Sequence, residues 1–134
     1  MYVGDWLERR ANLTPDQVAL IDTIGGRTIT YRAWNAQANR TARFLEAALG
    51  VRKGDRVAVL AANSVEYLDT WFALGARGAI LQNLNWRLAL PELERVLLDA
   101  EPVALIYSNE FAAQVNALRG RVPSVRNWVT FDTP

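Results

Sequence analysis

The residue types that carry most enzyme chemistry are sparse in this sequence of 134 residues. It contains no cysteine and no histidine, which excludes disulfides, thiolate nucleophiles, histidine acid–base catalysis and nearly all zinc sites. A Ser-His-Asp triad is excluded for the same reason. The net charge is +1, so no strong field attracts nucleic acid or an anionic membrane surface.

Phosphate-binding loops have recognisable glycine spacings, and the chain contains neither GxxxxGK[ST] nor GxGxxG. Residues 25–28, Gly-Gly-Arg-Thr, offer glycine amides, an arginine and a hydroxyl. They lie between two predicted strands and not before a helix, so no helix N-terminus would face an anion there. We therefore interpret them as a hairpin turn.

Arg87 is the single side chain that most suggests ligand binding. It follows a predicted strand and Trp86, and it precedes a predicted helix. A guanidinium in that place can clamp a phosphate through two parallel hydrogen bonds. The alternatives are an ion pair with a neighbouring carboxylate and a solvated position on the surface.

The segment after residue 62 has two competing interpretations. Asn63 and Glu66 have the spacing of a capping box, which predicts a helix that begins at about Ser64. The alternative is a small site for an anion at the helix start. The aromatic residues of the same segment are Tyr67, Trp71 and Phe72. Such a stripe is more typical of packed core than of a pocket for an acyl chain.

The elements that must position these residues alternate along the chain. The pattern predicts a short helix over residues 3–10 with Trp6 and Leu7 inward, then a hairpin over 18–30. The remaining predicted helices begin at about 31, 64, 91 and 110, and the strands between them cover 56–61, 79–84, 103–107 and 127–131. Alternation of this kind predicts an α/β fold with a mainly parallel sheet flanked by helices, formed by residues 1–134 as one domain.

Ligands of open α/β sheets bind at the carboxyl ends of the strands. In this sequence those ends carry amides, hydroxyls and one guanidinium, and no paired carboxylates. They are residues 22–23, 62–64, 85–87, 107–109 and 132–133.

Five motifs follow one another in an order that is more specific than any of them alone. They are Thr-Tyr at 30–31 opening a long helix, Gly-Asp-Arg-Val-Ala at 54–58, Asn-Ser-Val-Glu at 63–66, Ala-Leu-Gly-Ala-Arg-Gly-Ala at 73–79 and Leu-Asn-Trp-Arg-Leu at 84–88. Over nearly its whole length the chain resembles the N-terminal part of the adenylate-forming acyl-CoA synthetases. It departs from the usual pattern at Ala62 and Trp86, where proline is common.

The resemblance implies a two-step reaction. A fatty or other carboxylic acid attacks ATP, with Mg²⁺, to give acyl-AMP, and CoA then displaces AMP. The family's phosphate loop, ribose-binding Asp and catalytic Lys do not occur in residues 1–134. We therefore expect a scaffold fragment of a larger enzyme, with no catalytic residue, cofactor or metal of its own and no activity alone. The resemblance also implies that Arg87 contacts a CoA phosphate.

Two alternatives remain at the level of sequence. The parent protein could be another adenylate-forming enzyme, luciferase-like or amino-acid-activating. The chain could instead be a stand-alone α/β module that binds a partner or forms a homodimer. Asp5 and Glu8 interrupt the start of the chain, and the longest apolar run, residues 57–62, is too short for a membrane span. We expect a cytoplasmic location and no nucleic-acid partner.

Overall fold

The computed structural model describes residues 5–131. The helices are α1 (Asp5–Leu13), α2 (Tyr31–Ala47), α3 (Val65–Arg77), α4 (Leu90–Ala100) and α5 (Ala112–Leu118). The strands are β1 (Val18–Asp22), β2 (Arg27–Thr30), β3 (Arg56–Leu60), β4 (Ile80–Asn83), β5 (Ala104–Tyr107) and β6 (Asn127–Thr130). They belong to two compact units, which we call the helical unit (5–53 and 63–78) and the sheet unit (54–62 and 79–131).

The hairpin of the helical unit is formed by β1 and β2, which pair antiparallel with Asp22 opposite Arg27. Asp22 closes the turn, because its Oδ1 accepts hydrogen bonds from the backbone N–H groups of Ile24 (3.1 Å) and Gly25 (2.8 Å). A Cβ at Gly25 would lie 2.4 Å from Asp22 Oδ2, so any larger residue there would displace the carboxylate that closes the turn. The predicted hairpin turn is confirmed.

Both ends of α2 follow the sequence signals. Thr30 caps the start, since its side-chain oxygen accepts a hydrogen bond from the Ala33 N–H at 3.3 Å. At the other end Gly50 has a φ of +65°. Its N–H donates to Glu46 O (3.1 Å) and the Val51 N–H donates to Leu45 O (3.0 Å). This is a Schellman motif, which confirms the prediction that Gly50 ends the helix.

The core of the helical unit corrects two predictions about tryptophan. Leu7 is buried and packs in one cluster with Trp34, whose ring meets Phe72 edge-on at 5.0 Å between centroids. Trp6 and Trp71, however, are 53% and 48% exposed. Successive helical residues lie about 100° apart, so a narrow buried stripe that includes Leu7 leaves its neighbour Trp6 outside.

The start of α3 corrects the predicted capping box. The helix begins at Val65, as expected, but Ser64 and not Asn63 is the cap. Its Oγ accepts a hydrogen bond from the Tyr67 N–H at 3.1 Å. The Glu66 carboxylate pairs instead with Arg27 at 2.6 Å. Charge-assisted hydrogen bonds of this kind are stronger than bonds between two neutral groups.

The sheet unit contains a four-stranded, wholly parallel sheet in the order β4-β3-β5-β6. Leu93 and Leu97 of α4, with Val115 and Leu118 of α5, are fully buried in one cluster with side chains of β3 and β5. Residues 57–60 and 104–107 are buried on both faces of their strands, as continuous apolar runs predict. The predicted α/β fold with a parallel sheet, flanking helices and a hairpin is confirmed.

The element boundaries differ from the predictions by a few residues. The last helix opens with a 3₁₀ turn, Asn109–Phe111, before α5. Pro91 lies in the first turn of α4, as expected, and Glu92 Oε2 accepts a hydrogen bond from the Ala89 N–H at 2.8 Å. Residues 3–4 of the predicted first helix and the strand-end residues 132–133 lie outside the described residues.

Candidate functional site

The strand-end residues that the sequence predicted at the carboxyl edge of the sheet belong to two different units. Residues 85–87 follow β4 and residues 107–109 follow β5, so both groups lie in the sheet unit. Residue 62 also belongs to the sheet unit, whereas 63–64 and 22–23 belong to the helical unit. The candidate site in the sheet unit is therefore formed by the segments after β4 and β5.

The segment after β4 is a turn with a defined geometry. Leu84 is buried, and its N–H donates to Val59 O at 3.0 Å, which continues the sheet ladder by one residue. Asn85 Oδ1 then accepts a hydrogen bond from the Arg87 N–H (3.0 Å), and Asn85 O accepts one from the Leu88 N–H (3.1 Å). This is an Asx turn within a β-turn. It leaves Trp86 and Arg87 as the two central, exposed residues.

Trp86 contacts an aromatic ring and a cation. Its ring centroid is 6.1 Å from that of Phe111, with 32° between the planes. Phe111 belongs to the 3₁₀ turn after β5 and is only 7% exposed. The Arg87 guanidinium carbon lies 4.8 Å from the Trp86 ring centroid, which is cation–π distance. The contact between Trp86 and Phe111 thus joins the segments that follow β4 and β5, and Arg87 lies over the Trp86 ring.

Arg87 is exposed, and no carboxylate among residues 5–131 forms an ion pair with it. The nearby polar groups after β5 are engaged locally. The Ser108 hydroxyl donates to Glu110 Oε1 at 3.3 Å, and the Ser108 N–H donates to Leu60 O at 3.1 Å. The ion-pair alternative for Arg87 is therefore not met within the described part of the chain, and its guanidinium edge is open to an anion.

Arg27 has a structural role, because its guanidinium forms ion pairs with two carboxylates. Its Nη1 lies 2.6 Å from Glu66 Oε1 and its Nη2 lies 2.8 Å from Asp22 Oδ2. The pKa of Asp22 is lowered, first by the hydrogen bond from the Gly25 N–H and then by Arg27, and Arg27 chiefly lowers the pKa of Glu66. Because both carboxylates occupy this guanidinium, residues 25–28 form a hairpin fastened to α3 and not a phosphate cradle.

A cavity of about 400 Å³ lies between the hairpin and the start of α3, inside the helical unit. Leu20 and Ile21 form part of its wall, with Tyr67 and Leu68 from the helix. Burial raises the pKa of Tyr67. The three aromatic residues considered for an acyl pocket do not line it together, since Phe72 packs on Trp34 and Trp71 is half exposed.

Asp69 is the ionisable residue that the sequence reasoning missed. It is 4% exposed, and its Oδ1 has no hydrogen-bond partner within the described structure. Burial raises its pKa to about 6, while the indole N–H of Trp34 acts in the opposite direction without reaching hydrogen-bond geometry. The signal was available, because Asp69 lies four residues after the buried Val65 and four before the buried Ala73. An Asp or Glu at a position on the apolar face of a helix predicts a buried carboxylate of this kind.

The described residues do not offer a place for a resident metal. Within residues 5–131 no three Asp, Glu, His or Cys side chains are grouped so that they could hold an ion. None of the helices in the described range has the length and apolarity that crossing a membrane requires.

Comparison with known proteins decides the family. The family model described as AMP-binding enzyme matches residues 7–134. The chain belongs to the AMP-binding enzyme family. The chain is 42% identical over 126 residues to a feruloyl-CoA synthase of an Amycolatopsis species, a match that covers 91% of the chain and 25% of the relative. It is 35% identical over 134 residues to a long-chain-fatty-acid–CoA ligase of Mycobacterium tuberculosis, covering 98% and 26%.

Solved structures agree. The N-terminal domain of the Mycobacterium tuberculosis protein FACL13 superposes with a TM-score of 0.94 at 35% identity, covering 98% of this chain and 34% of that one. The Bacillus subtilis O-succinylbenzoate–CoA synthetase, in complex with ATP and magnesium, gives 0.79 at 30% identity, covering 92% and 32%. The chain spans about a quarter of the length of its curated relatives.

Proposed function

We propose that the protein containing this chain is an ATP-dependent acyl-CoA ligase, and that residues 1–134 are part of its scaffold. The match of the AMP-binding family model over residues 7–134 carries the proposal. The curated relatives described above are named as CoA ligases or synthases, which supports CoA as the acceptor. The proposed location is the cytoplasm.

The reaction has two balanced steps. The carboxylate oxygen of the acid attacks the α-phosphate of ATP, the bond to the β-phosphate oxygen breaks, and acyl-AMP and pyrophosphate form. The CoA thiol then loses its proton and attacks the acyl carbon, and AMP leaves with the bonding pair. Activation is necessary because oxide is a poor leaving group and AMP is a better one.

Within this chain the proposed ligand contact is Arg87, which binds a CoA phosphate. The segment after β4 supports the assignment, because a fixed turn presents an exposed guanidinium that no carboxylate among residues 5–131 neutralises. A phosphate can accept two parallel hydrogen bonds from such a group. No residue between 5 and 131 is assigned a part in the bond-making steps.

The test uses the enzyme that contains this chain, assayed for pyrophosphate release with ATP and a panel of fatty and aromatic acids, and for thioester formation with CoA. Acid-dependent pyrophosphate and CoA-dependent thioester are the expected products. A folded enzyme that turns over no acid in the panel would contradict ligase activity. Adenylation followed by transfer only to an acceptor other than CoA would contradict the choice of CoA.

A second experiment tests the proposed contact between Arg87 and CoA. Arg87→Ala is expected to raise the KM for CoA about tenfold, the typical loss for one hydrogen bond to a charged group, and to leave adenylation unchanged. Arg119→Ala is the matched control, since Arg119 also lies over a tryptophan of the sheet unit, 5.4 Å from the Trp128 ring centroid. Unchanged CoA kinetics in Arg87→Ala would remove the assignment.

A further inference from the structure

Trp86 has two contacts that affect the orientation of the Arg87 guanidinium. The indole lies against Phe111, which is anchored in the core of the sheet unit, and it also carries the Arg87 guanidinium. Trp86 is nonetheless 43% exposed. The indole therefore stays accessible beside Arg87 while a buried ring packs against it.

The backbone alone does not order the Arg87 side chain. The Asx turn fixes the N–H of Arg87 through Asn85 Oδ1, but beyond the Cα the side chain has several rotatable bonds and is exposed. Immobilising such a side chain on a ligand costs conformational entropy. Some other arginines of the described structure are held by carboxylates, as Arg27 is held by Asp22 and Glu66. Such a partner would neutralise the charge that a phosphate needs.

A stacked indole avoids that conflict. An aromatic face attracts the flat side of a guanidinium and leaves its charge and its N–H edge available for a bidentate anion. Phe111 in turn restricts the indole.

We infer that Trp86 is a positioning residue, which holds the Arg87 guanidinium pre-oriented on its ring for an anionic phosphate group of the acyl acceptor. The inference rests on the proposed function, since it needs Arg87 to contact CoA. Trp86 acts through Arg87 and makes no essential contact of its own with CoA. Its effect is therefore expected in the binding of the acceptor and not in the adenylation step.

The test is a double-mutant cycle in the full enzyme with Trp86→Leu, Trp86→Phe and Arg87→Ala. Trp86→Leu is expected to raise the KM for CoA two- to fivefold, the range that corresponds to an exposed cation–π contact. The kcat and the KM values for acid and ATP should not change. Trp86→Phe keeps a π face and should retain most of the affinity. In the Arg87→Ala background, Trp86→Leu should add nothing.

The outcomes distinguish the positioning role of Trp86 from the proposed contact of Arg87 with CoA. If Arg87→Ala raises the KM for CoA but Trp86→Leu does not, the positioning role is overturned while the Arg87 contact stands. If Trp86→Leu has the same effect with and without Arg87, Trp86 acts on the ligand directly and the inference is also overturned. If Trp86→Leu also loses adenylation, Trp86→Phe decides the question: CoA affinity retained in Trp86→Phe supports the positioning role, and CoA affinity lost there with adenylation intact overturns it. Absence of ligase activity in the unmutated enzyme would contradict the proposed function itself.

Discussion

Asp69 holds a carboxylate in an interior that disfavours its charge. Burial is the main cause of its pKa of about 6, and Glu66 adds to it, while Arg27 and Arg40 act against it. The folded chain therefore binds this proton more tightly than the unfolded chain, whose pKa is near the ordinary value of 3.8. Ionisation of Asp69 then lowers the free energy of unfolding as the pH rises from about 4 to about 6.

The prediction is that Asp69→Asn flattens this part of the stability profile. The unmutated chain should gain roughly 2 kcal/mol from Asp69 when the pH falls from 7 to 4.5, since one pKa unit corresponds to about 1.4 kcal/mol. Urea denaturation at several pH values measures the change. Asp16→Asn is the control, because that side chain is 82% exposed. A wild-type slope that survives in Asp69→Asn would contradict the assignment.

Asp22 and Glu66 act with the opposite sign and in a lower pH range. Hydrogen bonds lower both pKa values, from Gly25 and then Arg27 for Asp22, and from Arg27 for Glu66. Their contribution is present above the ordinary carboxylate pKa near 4 and is lost as the pH falls below it. The chain should therefore be most stable at mildly acid pH, between the two ranges.

At the scale of single residues, sequence reasoning succeeds where the partner is local and fails where it is distant. Thr30 bonds the third residue after it, so its spacing alone predicts the cap. Glu66 finds its partner 39 positions earlier, in Arg27, and no local pattern indicates that pairing. The exposure of Trp71 was mispredicted because a broad apolar stripe does not show which part of it faces the core.

At the scale of elements, the start of α3 provides a direct test of which residue caps it. Ser64→Ala should lower the free energy of unfolding by about 1 kcal/mol, because the Tyr67 N–H loses its acceptor. Asn63→Ala is the matched control one position earlier, and it should change stability by less than about 0.5 kcal/mol. Denaturant midpoints of the 134-residue chain measure both. A larger loss in Asn63→Ala than in Ser64→Ala would restore the capping box.

The order of elements was predictable because hydrophobic period, caps and breakers agree along the chain. Gly50 and Pro91 fix the end of one helix and the start of another by backbone geometry that other residues adopt poorly. The order of strands in the sheet was not predictable in detail, since local sequence does not show that β3 lies between β4 and β5. That arrangement, with the anchoring of Trp86 on Phe111, creates the candidate site.

At the scale of the whole molecule, the 134-residue chain is expected to lack turnover. It covers about a quarter of the length of its curated relatives. Purified chain incubated with ATP, Mg²⁺ and a panel of carboxylic acids should release no pyrophosphate above a buffer control. Turnover would contradict the scaffold assignment. Light scattering after gel filtration tests the homodimer alternative in the same preparation.

A chimera separates scaffold from specificity more sharply than the isolated chain does. Residues 1–134 would replace the matching quarter of the long-chain-fatty-acid–CoA ligase of Mycobacterium tuberculosis, to which they are 35% identical. If this part is scaffold, the chimera should keep adenylation within about tenfold, or roughly 1.4 kcal/mol, and its acyl preference should follow the mycobacterial remainder. The same chimera with Arg87→Ala should lose affinity for CoA and retain that preference. The acyl preference could instead switch to the acid used by the native parent of residues 1–134. That result would show that this segment selects the acyl chain, and the cavity beside the hairpin would then be the candidate specificity site.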